Sequence, residues 1–364
     1  MDLLSDRNIK HIFYIHSQTC YITSLKIVQY ENIEVNSVIF LLARNTPIIE
    51  PKFKHFHIYQ IIDNWGFYAL RKLLDFKWLQ NRRIVNLIDN FIEKIVPDNF
   101  IFYSQNGRHY KYNIFISSKK CIGNNYIEDG LDMYSSQSEF NIKYPSPLKL
   151  RYLLINKILS NFQGLNKRIF QKNDPFWASS NKTKFYTLHE YSMKYIQCDL
   201  NKINLEKIRL PITSEELEDL PIFLPSALEE QKICSNEYIL KSYLIFCSNH
   251  NITRAYIKWH PAHTIQSKKY FLETFSTNNI EIIELPNDLL MELYFSSTNK
   301  SHKIVSHGSS LLIYAALFGR NCTAHIIYPI LHNILGKHTP RSNYWINTYS
   351  QYKIDNLIIE SNIE

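Results

Sequence analysis

Three short polar groups in this chain directly follow apolar runs, and their side chains are of the kinds that move protons and hold phosphate. Glu128-Asp129-Gly130 follows Ile122 to Ile127, His260-Pro261 closes Thr253 to Trp259, and Gly308-Ser309-Ser310 follows Lys303 to Ser306. Each is ordinary alone. Asp-Gly favours a turn because glycine adopts positive φ, a single His is a common loop residue, and Ser ahead of an apolar helix is a common cap. The combination is more informative: a carboxylate in the first half, then an imidazole and a candidate phosphate cradle in the second. In the cradle, Gly308 permits close backbone approach and Ser309 and Ser310 offer hydroxyls. The N–H groups opening the next helix carry the positive end of its dipole. Such a site suits one phosphate. It lacks the length and the lysine of GxxxxGK[ST], which argues against a nucleoside triphosphate. His260 can donate a charge-assisted hydrogen bond to that phosphate, and Lys258 adds positive field.

The surrounding pattern supplies elements to position these groups. His11 to Ile15 reads as a strand ending in His16-Ser17-Gln18-Thr19, followed by helical spacing at Ile22, Leu25 and Ile27 and a second strand at Ser37 to Leu42. That is the opening of a βαβ unit, with its polar cluster where open α/β sheets bind ligands. Residues 65–95 read as helix, ended by Pro97. Asn113 to Ser117, Ile122 to Ile127 and Lys184 to His189 read as strands, and Ser146 to Leu159 as a helix. The polar stretch 198–220 marks a junction, which divides the chain into domains 1–205 and 206–364. The second half repeats the grammar. Ile222 to Leu224, Thr253 to Trp259, Ile280 to Leu285 and Lys303 to Ser306 read as strands, and Tyr238 to Phe246 and Leu311 to Phe318 as helices. Two α/β halves of this kind predict two Rossmann-like domains facing a central cleft.

Composition narrows the partners. The 364 residues are 45% hydrophobic and 20% charged, so the chain is globular. Lys and Arg exceed Asp and Glu by 41 − 33 = +8, which favours an anionic partner. The six cysteines lack CxxC or zinc spacing and read as free thiols in a reducing compartment. No secretory leader is read at the N-terminus and no apolar window is long enough for a bilayer span. The expectation is a cytoplasmic protein, possible peripheral contact with the inner membrane face included. No RNP, zinc-finger or basic-helix signature supports a nucleic-acid partner.

Taken with the order of the two halves, (D/E)(D/E)G at Glu128-Asp129-Gly130, Lys258-Trp259-His260-Pro261, and Ser309-Ser310 before a helix resemble the motifs of bacterial sialyltransferases and polysialyltransferases of GT-B fold. Leu285-Pro286-Asn287-Asp288-Leu289-Leu290-Met291-Glu292 resembles the segment in which that family places a ribose-binding Glu. These motifs span Glu128 to Ser310, about half the chain. The resemblance implies transfer of sialic acid from CMP-sialic acid to a glycan hydroxyl with inversion. It implies Asp129 as general base, with Glu128 in that role if the register is off by one, and His260 at the departing phosphate. Lys258, Pro261, Glu292, Gly308, Ser309 and Ser310 are implied on the nucleotide side, and His16, Ser17 and Thr19 on the acceptor side. The acceptor is expected to be lipooligosaccharide, capsule or a polysialic chain, acidic or lipid-linked. No cofactor is expected, and no metal, since no DxD pair is present. The C-terminal segment from Lys337 is expected to pack back on the first domain. The competing readings are another GT-B glycosyltransferase of capsule or lipooligosaccharide assembly with a different nucleotide sugar, and a non-catalytic glycan- or nucleotide-binding protein.

Overall fold

The computed structural model describes residues 9–43, 56–61, 76–106, 110–136, 183–194, 201–210, 216–336, 340–352 and 354–360, with isolated positions besides. The helix expected over 146–159 and the first part of that expected over 65–95 fall largely outside these. The chain forms two compact units. One comprises Met1–Met133 with Phe140–Leu210, the other Tyr134–Glu139 with Pro211–Glu364.

The first unit is built on a parallel sheet. Its strands are β1 (Lys10–Ile15), β2 (Val38–Leu42), β3 (His57–Gln60), β4 (Phe100–Ser104), β5 (Cys121–Ile127), β6 (Lys184–Thr187) and β7 (Asn201–Asn204), in the order β3-β2-β1-β4-β5-β6-β7. Every residue of β2 is buried, the expected signature of a strand covered on both faces. Helix α1 (Gln18–Tyr30) packs on β1, β5 and β6. It begins where Ser17, in extended conformation, accepts the Cys20 N–H, a Ser cap of the expected kind. Helices α2 (Trp78–Ile95) and α3 (Tyr110–Ile116) pack on each other. Ile84, Ile88 and Ile92 of α2 and Ile114 and Phe115 of α3 join Ile12, Ile39 and Phe102 of the sheet in one apolar core.

Asn113 to Ser117, expected as a strand, lies mostly in α3. The strand is Phe100–Ser104 instead. Adjacent parallel strands β4 and β5 need a crossover between them, and the β-prone run NIFI supplies its helix because the topology leaves it no sheet edge.

The second unit repeats the plan. Strands β8 (Ile222–Phe223), β9 (Arg254–Ile257), β10 (Glu281–Glu284), β11 (His302–Ser306), β12 (Cys322–Ile326) and β13 (Leu357–Ile359) are parallel, in the order β10-β9-β8-β11-β12-β13. Its helices are α4 (Asn236–Asn249), α5 (Ile265–Thr277), α6 (Met291–Ser297), α7 (Ser310–Phe318), α8 (Tyr328–Leu335) and α9 (Pro340–Ser350). Both sheets carry the 3-2-1-4-5-6 order of a doubly wound fold, the first with one strand more. The strand order reverses at β1/β4 and at β8/β11. Loops leaving the carboxyl ends of these strands are where such sheets hold ligands, and the three polar groups lie at carboxyl ends of β5, β9 and β11.

The segment after Lys337 is described from Pro340 on, without Lys353 and the last residues. The described part of α9 packs inside the second unit, where Trp345 lies against Gly308 and Tyr349 bonds Ser309.

Candidate active site

In the first unit, the alternation of β5 sends the two acidic side chains of Glu128-Asp129-Gly130 different ways. Glu128 is fully buried. Its Oε2 accepts the Leu188 N–H at 2.8 Å, and the Glu128 N–H donates to the Tyr186 carbonyl, so the residue ties the ends of β5 and β6 together. Lys26, buried in α1, supplies a compensating charge. Burial lowers that lysine to about 8, while Glu128 acts the other way. Asp129 is instead partly exposed, at 25% of its side chain. Gly130 has φ of 108°, which a side chain would strain, and its carbonyl accepts the Met133 N–H as the chain turns.

Asp129 meets the polar cluster that ends β1. His16 Nε2 lies 2.8 Å from Asp129 Oδ1. Cys20, one turn into α1, lies beneath them, its Sγ 3.5 Å from Asp129 Oδ1 and 3.8 Å from His16 Nδ1. Burial and then the Asp129 charge push this thiol well up, so it stays protonated. The Ser17 hydroxyl is engaged at the cap, accepting the Cys20 N–H and donating to Cys20 Sγ at 3.1 Å. Thr19 is buried in the first turn of α1. Of the three expected acceptor residues, Thr19 is therefore not presented outward, Ser17 serves the helix, and His16 faces the carboxylate.

In the second unit, β9 delivers Lys258-Trp259-His260-Pro261. Lys258 is buried and donates from Nζ to the Pro286 carbonyl, joining the loops after β9 and β10. Desolvation lowers it to about 8, against the opposing pull of Asp288 and Glu292. Glu292 is buried in the first turn of α6. His260 and Pro261 are exposed. The His260 Nδ1 accepts the Ala262 N–H at 3.1 Å, which places the proton of a neutral ring on Nε2. His263 anchors the loop from below. It is buried, with Nδ1 3.2 Å from Ser267 Oγ and 3.3 Å from Glu230 Oε1, and Nε2 3.2 Å from the Pro225 carbonyl.

The cradle is built differently from the expectation. The group that approaches the Gly308 backbone closely is the Trp345 ring: a Cβ at Gly308 would sit 2.0 Å from its Cε3. The Gly308 N–H donates to Ser306 Oγ and its carbonyl accepts from Ser226 Oγ. Ser309 caps α7, accepting the Leu311 N–H at 3.2 Å. Its own N–H goes to the Tyr349 hydroxyl. Ser310, half-buried in the first turn, is the member of the trio left to meet an anion.

Two groups among the described residues bring three metal-type ligands together: His16, Cys20 and Asp129, and His250, His325 and Glu360. In the first, the three side chains bond one another, His16 Nε2 to Asp129 Oδ1 at 2.8 Å and Cys20 Sγ to both. In the second, His325 Nδ1 lies 2.6 Å from Glu360 Oε1, and the Lys303 ammonium sits 3.2 Å from His250 Nδ1, where a metal-bound imidazole would carry its own donating N–H. Both sets read as hydrogen-bonded networks.

Sequence reasoning missed Cys20, His263, Trp345 and Tyr349. His263 had a signal, a second His three residues beyond the first. The others had none: Ser309 and Tyr349 are 40 residues apart.

A doubly wound pair of units carries a carboxylate at one strand end and an imidazole and a Ser-Ser turn at two others, an arrangement that enzymes of nucleotide sugars, glycosyltransferases among them, can use. The chain belongs to the alpha-2,8-polysialyltransferase (POLYST) family, whose model matches residues 18–328. Membership implies a nucleotide-sugar donor and a glycan acceptor. No curated protein matches the chain. Among solved structures it is similar to the spinosyn forosaminyltransferase SpnP, at 11% identity and a TM-score of 0.47, over 94% of this chain and 89% of that one. It is similar also to the calicheamicin glycosyltransferase CalG4, at 8% and 0.45 over 96% and 86%. The S. aureus MnaA-UDP co-structure gives 14% and 0.45 over 94% and 87%. Likeness at this level says nothing of substrate. Among the described residues, no helix is long and apolar enough to cross a membrane.

Proposed function

We propose that the chain is an inverting, metal-independent sialyltransferase that moves sialic acid from CMP-sialic acid to a hydroxyl of a sialylated, cell-surface glycan. The family description points to α2,8 linkage, so the acceptor is the terminal sialic acid of a growing anionic chain, which the +8 net charge suits. The observation that supports the reading best is the different fate of the two carboxylates: Glu128 is held inside by Leu188, and Asp129 is kept outward against His16.

In the step proposed, the acceptor hydroxyl oxygen forms a bond to the anomeric carbon as the bond from that carbon to the CMP phosphate oxygen breaks. The hydroxyl proton passes to the Asp129 carboxylate, and the electron pair of the broken bond leaves on CMP. A positioned base contributes about 10²–10⁴-fold to such a step. The departing phosphate gains charge, and a donated hydrogen bond from His260 Nε2 together with Ser310 at the head of α7 would stabilise it. Each preorganised donor of this kind contributes on the order of 3 kcal/mol. Glu292 would hold the ribose and Lys258 the field around the nucleotide, with Pro261 shaping the loop. A cytidylate is a good enough leaving group for these donors to serve without a cation. Work at an anionic inner membrane face is part of the same proposal.

The test is a mass-spectrometric assay with CMP-sialic acid and a panel of lactoside and oligosialyl acceptors, with chelator present. Extension of oligosialyl acceptors with equimolar CMP release is the expected result. Transfer only from another nucleotide sugar, or dependence on added metal, overturns the reading.

A further inference from the structure

The hydroxyl of Tyr349 is bonded to both backbone polar groups of one residue, Ser309. It accepts the Ser309 N–H at 2.9 Å and donates to the Ser309 carbonyl at 2.7 Å. A phenol hydroxyl has one proton to give and lone pairs to receive, so this arrangement engages it as donor and acceptor at once. Tyr349 is fully buried, and burial pushes the phenol well above its ordinary value, which keeps the donated proton in place.

Helix α9, which carries this hydroxyl, is fixed on either side. Four residues earlier, Trp345 lies flat enough on Gly308 that no Cβ fits there, and its ring also meets Tyr328 edge-on, with centroids 5.5 Å apart. Just beyond Tyr349, the Gln351 side-chain amide and the Tyr352 hydroxyl both donate to the Tyr134 carbonyl. Tyr134 further packs against Tyr314 of α7 and against Tyr352. The helix is held to the body of the unit at three successive points, so the Tyr349 hydroxyl has a fixed position from which to set the Ser309 backbone.

Ser309 is the cap of α7. A capping residue fixes the direction in which the first turn's N–H groups and its neighbour's hydroxyl point. Without Tyr349 the 308–310 segment keeps the bonds made by Ser306 and Ser226, the cap itself, and the Leu312 N–H to the Ser309 carbonyl. We infer that Tyr349 is a positioning residue for the donor phosphate: its hydroxyl locks the Ser309 backbone so that Ser310 and the head of α7 are aimed at the phosphate of the nucleotide before it arrives. The inference rests on the proposed donor reading and adds to it a group that touches no substrate. The physical effect is preorganisation. A misaimed donor costs affinity because the loop must be ordered at the moment of binding.

The experiment is calorimetric titration of CMP into the full-length protein, with thermal melting and donor kinetics on the same preparations. Tyr349→Phe keeps the ring and removes the bridge. It is expected to weaken CMP binding about tenfold and to raise the donor KM more than it lowers kcat. Tyr186→Phe removes another buried hydroxyl bond, to Glu31 in the first unit, and shows what lost stability alone does to CMP binding. Should Tyr349→Phe fail to fold, Tyr352→Phe, which loosens the other anchor of α9, is expected to weaken CMP binding about threefold. Wild-type affinity in Tyr349→Phe, or an equal loss in Tyr186→Phe at matched melting temperature, overturns the inference and leaves the donor reading intact. A wild-type protein that does not bind CMP overturns both.

Discussion

His16 Nε2 and Asp129 Oδ1 are 2.8 Å apart, one at the end of β1 and the other at the end of β5. The pair orients the carboxylate, and Asp129 is the acidic side chain of its motif that reaches the surface. Asp129→Asn keeps the size of the group and one oxygen to face His16, and removes its capacity to take a proton. Transfer should fall by at least about 10²-fold while CMP binding stays within about twofold of wild type. Near-normal turnover in this variant would rule out Asp129 as base.

His16→Ala separates two roles for the imidazole. If it orients Asp129, kcat should fall about tenfold with little change in acceptor KM, since only the aim of the base is lost. If instead it binds the acceptor, the loss should appear in acceptor KM. Steady-state kinetics with the acceptor varied at saturating donor distinguish them, and a KM effect alone would return His16 to the acceptor side.

How much of this was legible in the chain depends on range. The strand-helix-strand opening could be read because residues 12–15 and 38–42 are unbroken apolar runs and Ser17 is a cap by type. Asn113–Ser117 was misread because its three β-prone residues, Ile114, Phe115 and Ile116, look alike in a strand and in a short buried helix, and only the parallel pairing of β4 with β5 decides between them. The choice between Glu128 and Asp129 was illegible for a related reason: two adjacent residues at a strand end face opposite ways, and which way is inward depends on the partner strand, here through Leu188. The support of the Ser309 turn by Trp345 and Tyr349 had no local signal at all.

Gly308 tests that last point. An alanine there would place its Cβ 2.0 to 2.5 Å from three atoms of the Trp345 ring, closer than a contact can be. Overpacking of this kind costs about 1–3 kcal/mol. Urea unfolding of Gly308→Ala should show that loss, and adding Trp345→Leu should recover part of it, so that the double variant is more stable than the two single losses summed. Simple additivity would mean that the ring is not what excludes a side chain at this position.

Lys258 gives a pH dependence whose sign differs between stability and binding. Burial lowers it from 10.5 to about 8, so above 8 the folded protein holds this lysine neutral while the unfolded chain still binds its proton. The unfolded state then binds more protons, and stability from this group should rise as pH climbs from about 8 towards 10.5. Donor affinity should move the other way, because the ammonium field beside Asp288 and Glu292 disappears over the first part of that range. Lys26, also lowered to about 8, adds to the stability trend from the first unit but has no place on the nucleotide side. Donor KM measured between about pH 7 and pH 9 should therefore rise severalfold in wild type. In Lys258→Met it should start high and stay flat. A wild-type donor KM that is level across this interval would show that the lysine charge is not felt by the nucleotide.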